Sequence, residues 1–207
     1  MRIEFEESVH ARATLRCIPE EYDATPPVSE LYLDCVPVAL NPERLAIAAY
    51  LAFGHWASGD FQLPRKLGPN TAAAIERDLS HVSIRPGPIE YYPKPLEVGI
   101  RDIDVSIGNG IADTRSPYTI NIYESSGWNG ALRSLNSISV SSNAFAIDAA
   151  RPTTHQSIRA QLAVAVMLAA ELSADRLVVN DTCNIQASER RQIESLLLAS
   201  RLGICFR

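Results

Sequence analysis

NPERLAIAAYLAFGHWASGDFQLPRKLGPNTAAAIERDL, residues 41–79, is the stretch from which the fold is read. Asn41-Pro42-Glu43 opens a helix: an N-cap side chain, a proline at the first helical position, where its missing N–H is no loss, and an acid in the first turn. Leu45, Ala48, Ala49, Ala52, Phe53 and Trp56 follow at helical spacing, which predicts a helix that buries one stripe and ends by Gly59. Phe61 to Leu63 reads as a short strand, and Gly68-Pro69-Asn70 opens a second helix through Leu79.

Upstream, Ala13 to Ile18 and Glu30 to Leu40 read as strands separated by Thr25-Pro26-Pro27, which neither strand could absorb. Downstream the pattern changes to alternation and turn punctuation. Val82 to Arg85, Ile89 to Tyr92, Ile103 to Ile107 and Tyr118 to Tyr123 are the strand candidates, with Pro86-Gly87-Pro88, Pro93 to Pro95, Gly108-Asn109-Gly110 and Ser125 to Gly130 as breakers. In Ile103-Asp104-Val105-Ser106-Ile107 the apolar side chains share one face, which leaves the other for water.

The same grammar returns in the second half. Ile138 to Val140 and Ala144 to Ile147 read as a bulged strand, and Pro152-Thr153-Thr154 starts a helix that runs to Ser173. Between Leu162 and Ala170 this helix is apolar all round, so it belongs at the centre of the core. Arg176 to Asn180 is a strand, and Ser188 caps a helix that turns Ile193, Leu196 and Leu197 inward. The two copies, Leu31 to Leu79 and Ile138 to Leu202, each close on Ile-Glu-x-x-Leu, at Ile75 and Ile193. The matched residues are common types, so duplication and two unrelated segments both stay open. The expected fold is α+β, a mixed, largely antiparallel sheet with about four helices in a single unit over 1–207; two similar halves, about 1–95 and 96–207, is its sharper form.

Net charge is −5, and residues 1–100 carry the whole excess: nine Lys or Arg against fourteen Asp or Glu. A chain with no basic cluster longer than Arg190-Arg191 lacks the footprint that phosphate backbones require, which disfavours nucleic acid. Its longest apolar run, Leu162 to Ala170, is about half of what a bilayer needs, so no membrane partner is expected. Cys17, Cys35, Cys183 and Cys205 are scattered, without Cys-x-x-Cys spacing, and the N-terminus has no apolar signal core; free thiols in a cytoplasmic protein follow.

Candidate chemistry is sparse. His55 and Asp60, in Gly54-His55-Trp56-Ala57-Ser58-Gly59-Asp60, would make an acid/base and its orienter, although a histidine at a helix C-terminus also interacts with the dipole alone. His155, with Thr153, Thr154 and Arg159, would form an anion pocket at a helix start; plain N-capping by a threonine is the simpler account. Cys183, in the Asn180 to Asn184 loop after a strand, is a nucleophile candidate with no histidine near it in sequence, and an Asx turn explains that loop equally. Gly108-x-Gly110 lacks the following helix of a phosphate loop. No metal-ligand spacing is present and no cofactor is expected. Tyr91, Tyr92 and Trp128 place large amphipathic side chains in loops, as binding anchors or as local packing.

The leading expectation is therefore a cytoplasmic protein that binds another protein, such as an immunity-type inhibitor or a subunit of a bacterial assembly, with a basic partner favoured by the acidic half. The alternative is a small-molecule enzyme using His55, Asp60 and the 180–184 loop. A homodimer that pairs Tyr118 to Tyr123 across a twofold axis is a third possibility.

Overall fold

A computed structural model describes residues 1–9, 11–78, 83–92, 95–96, 98–108, 116–151, 157–180 and 185–207. The chain begins with three strands, β1 (Arg2–Glu7), β2 (Ala13–Ile18) and β3 (Glu30–Leu33), then α1 (Pro42–Phe53), a 3-10 turn at Gly54–Trp56, β4 (Gly59–Leu67), α2 (Pro69–Asp78) and β5 (Ile84–Ile89). It continues through β6 (Arg101–Ile107), β7 (Thr119–Glu124), β8 (Ala131–Arg133), β9 (Ser137–Ser142), α3 (Ala144–Ala149), α4 (Arg159–Leu168), β10 (Ala174–Val179), α5 (Ala187–Leu198) and β11 (Gly203–Phe206).

Among the described residues, all eleven strands join one mixed sheet in the order β11-β10-β6-β7-β9-β3-β2-β1-β4-β5, with β8 against β9. The α+β class is as expected, and the sheet is larger. Six of its pairings are parallel; of these, β4–β5 and β10–β11 are direct crossovers through a helix, α2 and α5. Four are antiparallel: the β1-β2-β3 meander, the β8–β9 pair and the β3–β9 seam. Outward from that seam, both runs have the same order: β3-β2-β1-β4-β5 on one side and β9-β7-β6-β10-β11 on the other. In each run a helix, α1 or α4, carries the chain from the seam strand to the fourth strand. A second helix, α2 or α5, then leads to the edge.

The seam is narrow in ladder bonds and closed by side chains. Leu33 pairs with Ser142. Tyr32 N–H donates to Asn143 Oδ1 at 2.9 Å, Asn143 Nδ2 donates to the Glu30 carbonyl at 2.7 Å, and Ser142 Oγ donates to the Tyr32 carbonyl at 2.6 Å.

Asn41 caps α1 as its sequence implies, accepting from Glu43 N–H at 2.8 Å and Arg44 N–H at 3.4 Å. Every residue of α1 from Glu43 to Phe53 is buried, and so is every residue of α4 from Ala160 to Leu168. The two helices pack against each other, so the centre of the core is where the apolar patterning puts it.

Several elements differ from expectation. The second central helix begins at Arg159 and not at Thr154, because its cap comes from another element, Asp148 of α3. Ala144 to Ile147 is helix α3 and not a strand. The expected breaker Pro86-Gly87-Pro88 lies inside β5, which an edge strand tolerates because its outward N–H groups need no partner. The 187–198 helix starts at Ala187 with no side-chain cap, so Ser188 is its second residue and not its cap. β7 sits between β6 and β9, so Tyr118 to Tyr123 offers no free edge for a dimer. The outer face of β6 is also drier than its alternation suggests: Asp104 is buried and accepts from Ser116 N–H at 3.0 Å.

Cys17, Cys35 and Cys205 are free thiols, the first two buried. Burial pushes Cys17 up to about 12, helped by Asp23, and Cys35 up to about 11. A raised thiol pKa leaves almost no thiolate near neutrality. A Cys183→Ala/Cys205→Ala variant at pH 8 is therefore expected to show no prompt reaction with a disulfide reagent when folded and two reactive thiols when unfolded. Prompt native labelling would contradict the buried placement.

Candidate functional site

In α/β sheets, ligands gather at the carboxyl ends of parallel strands, where helices present their N-termini. This fold offers two such places, one per run, because the seam pairs the runs antiparallel. One is at the start of α4, beyond β9, β10 and β11; the other is at the start of α1, beyond β3, β4 and β5.

The start of α4 is filled by the protein's own charges. Asp148 Oδ1 accepts from Ala160 N–H at 3.0 Å and from Ser157 Oγ at 3.2 Å, and its Oδ2 accepts from Gln161 N–H at 3.1 Å. Arg151 lies 3.5 Å from the same carboxylate, donates to the carbonyls of Leu51 and Ala52 at the end of α1, and stands over the Trp56 ring at 5.4 Å. Burial raises Asp148, against the pull of Arg151, and lowers Arg151 to about 10, against the pull of Asp148. Both directions say that desolvation outweighs the pairing, as for many buried ion pairs.

Beside it, Asp78 at the end of α2 accepts from Tyr50 Oη at 2.9 Å and from Arg159 Nη1 at 2.7 Å. Arg159 Nε is 3.4 Å from Glu189 of α5. Burial alone would lower Arg159, but Asp78 overrides it and leaves the guanidinium raised. Tyr50 is also raised, by burial and then by Asp78. This network ties α1, α2, α4 and α5 together, and Arg159 is committed to it and not to an anion pocket.

The start of α1 is open. A groove of about 520 Å³ is lined there by Leu40, Pro42, Glu43, Tyr92, Pro95 and Leu96, with Arg65, Lys66 and Glu90 also on its walls. Glu43 is only 7 % exposed. Its Oε1 accepts from Gly68 N–H at 2.7 Å, and its Oε2 has no hydrogen-bond partner. Arg65 Nη1 donates to the Leu40 carbonyl at 3.1 Å, and Lys66 lies 3.8 Å from Glu90. Tyr91 and Tyr92 are 75 % and 91 % exposed. Val38, also exposed, adjoins the Ala39–Leu40 wall. Arg133 Nη2 donates to the Val36 carbonyl at 2.6 Å, and its sequence neighbours Leu132 and Leu135 are exposed.

The other residues singled out in the sequence fall as follows. His55 is exposed, edge-on to Trp56 at 5.4 Å. Arg85 Nε holds the Asp60 carboxylate at 2.9 Å across β4 and β5. Thr153, Thr154, His155 and Cys183 lie outside the described residues. Trp128 packs edge-on to Tyr123 at 5.1 Å and is half-buried, so of the three aromatic candidates Tyr91 and Tyr92 are the exposed ones. Among the described residues no group of His, Cys, Asp or Glu is placed to hold a metal ion, and no helix is long and apolar enough to cross a membrane.

Sequence patterning does not single out Glu43, Arg65 or Lys66, which show in it only as a first-turn acid and a basic dipeptide. The acidic excess is also less bare than the charge count implies. On the strand face away from the helices, Arg2 meets Glu4 at 3.3 Å, while Arg16 meets Glu6 at 3.4 Å and Glu30 at 2.8 Å. Comparison with protein-family models, with curated proteins and with solved structures finds no match.

Proposed function

We propose that this protein works by binding another protein, as an inhibitor or an assembly subunit does, and that the partner docks on the face around the start of α1. The observation that carries this reading is the pair Tyr91 and Tyr92, exposed beside the groove of about 520 Å³. Tyrosine gives large contact area at small entropic cost, and anchors of this kind next to a pocket are where binding energy concentrates. Val38, next in sequence to the Ala39–Leu40 wall, adds exposed apolar surface.

By contrast, the other helix-start site is closed by Asp148, Arg151 and the Arg159 network. That arrangement serves packing, since each of its charges already faces an opposite one, although Asp78 Oδ1, Arg151 Nε and Gln161 Oε1 lack a hydrogen-bond partner there.

The test is affinity capture from the native cell with wild-type protein and with a Tyr91→Ser/Tyr92→Ser variant. Both side chains are exposed, so the variant should melt within about 0.5 kcal/mol of wild type. A stoichiometric protein partner held by the wild type and reduced at least tenfold on the variant is the expected result. Equal capture by both, or no stoichiometric partner, overturns the reading.

A further inference from the structure

The two helix starts can be compared within one molecule. Each follows a seam strand, and each has a carboxylate buried beside it: Asp148 at α4 and Glu43 at α1. At α4 the carboxylate faces a guanidinium, Arg151, which itself stands over an aromatic ring, Trp56. At α1 the carboxylate has one oxygen bonded to Gly68 and the other without a partner, and an aromatic ring, Tyr92, lines the same groove.

The first-turn donors of α1 are already used. Pro42 has no N–H, and Glu43 and Arg44 N–H both go to Asn41 Oδ1, so the helix start offers nothing to an anion. What lacks a partner is an acceptor, Glu43 Oε2. A buried acceptor left unmatched is costly, and a charge-assisted donor is its strongest complement. Arginine suits the place better than lysine, because its planar head can donate to the carboxylate and lie against the tyrosine ring at once. Among the described residues, the cations on the groove wall do not supply that donor: Arg65 is directed to the Leu40 carbonyl and Lys66 to Glu90. Both are solvent-exposed, where screening keeps their repulsion of an incoming cation small.

We propose that the groove at the start of α1 receives an arginine-bearing segment of the protein partner, and that the Glu43 carboxylate, whose unpartnered Oε2 has less than 1 Å² of accessible surface, turns toward the groove to accept from the guanidinium while Tyr92, Pro95 and Leu96 form the apolar walls. This rests on the docking reading above and narrows it from a broadly basic partner to one arginine at one acceptor.

The probe is the capped tripeptide acetyl-Leu-Arg-Leu-amide, titrated into the full chain labelled with ¹⁵N, beside its citrulline analogue and acetyl-argininamide. The arginine peptide is expected to move the Glu43 and Gly68 amide signals. Its affinity should fall about tenfold with citrulline and about tenfold with Glu43→Gln, which keeps an acceptor for Gly68. Acetyl-argininamide should bind more weakly than the peptide. Equal affinity for arginine and citrulline peptides overturns the guanidinium assignment and needs no variant to fold. Equal affinity for acetyl-argininamide and the peptide overturns the peptide segment in favour of a small guanidinium ligand. If the titration is flat while Tyr91→Ser/Tyr92→Ser still releases the partner, this inference fails and the docking face stands. If that variant keeps its partner, the docking reading fails and this inference with it.

Discussion

Asp148→Ala is expected to destabilise the protein by about 3–5 kcal/mol, the range for removing one member of a buried ion pair. Three losses coincide at this site. Ala160 and Gln161 N–H, in the first turn of the most buried helix, lose their acceptor. Ser157 Oγ loses its partner. Arg151 is left charged and buried, with the Leu51 and Ala52 carbonyls and the Trp56 face in place of a counter-charge. For a chain of this length the melting temperature should fall by about 10 °C or more. Asp148→Asn keeps one acceptor for the helix start and should fall between the two.

Arg151→Leu is milder, because Asp148 retains its N–H donors. The double variant Asp148→Ala/Arg151→Leu should be less destabilised than the sum of the two single changes, since no unpaired charge remains. Thermal or urea unfolding of the four proteins measures this. If Asp148→Ala lies within about 1 kcal/mol of wild type, water replaces the cap and the site is not a closed plug.

This plug also shows where sequence stops carrying structural information. Asn41 is legible as the cap of α1 because an N-cap and its N–H donors are neighbours in the chain. The cap of α4 is a residue of another helix, so the local Pro152-Thr153-Thr154 signal misplaces the start. α3 escapes notice because six residues are under two turns, too short to show a period, and no side chain caps it. β5 escapes because Pro86 and Pro88 argue against a central strand, and sequence does not show which strand is an edge. The positions from Leu162 to Leu168, by contrast, are legible as core because a helix apolar all round has only one place to go.

The candidate site divides the same way. Tyr91 and Tyr92 are readable as large amphipathic residues beside prolines. Glu43 reads as an ordinary first-turn acid, and what makes it unusual is a bond to Gly68, twenty-five residues away, that occupies one oxygen and leaves the other unmatched. Nor can charge counting show that the acids of β1 and β3 are matched by arginines across the strands, since strand register decides that.

Gly99→Ala is expected to cost about 3 kcal/mol, the upper end for overpacking, although the change adds one methyl group. Gly99 is buried just before β6, where Ile100 N–H donates to the Ser173 carbonyl at 2.9 Å and the ladder with β10 shifts register between Ala174 and Arg176. A Cβ there would run into the main-chain carbonyl of Ala174 and the amide nitrogen of Asp175. A crowded side chain can change rotamer, but two backbones in contact can separate only by pulling β6 from β10. Those strands link the rest of the meander-free run to β10 and the edge strand β11, so the strain falls on the ladder next to the edge pair. The φ of Gly99 is not in the left-handed region, so the cost is steric, and serine should be as harmful as alanine. Gly203→Ala is the matched control: its Cβ would sit 3.4 Å from the Arg176 side chain, an ordinary contact, and should cost less than about 1 kcal/mol. Urea midpoints of the three variants decide the matter. A Gly99→Ala protein as stable as Gly203→Ala would mean that β6 and β10 are not packed backbone to backbone at this bulge.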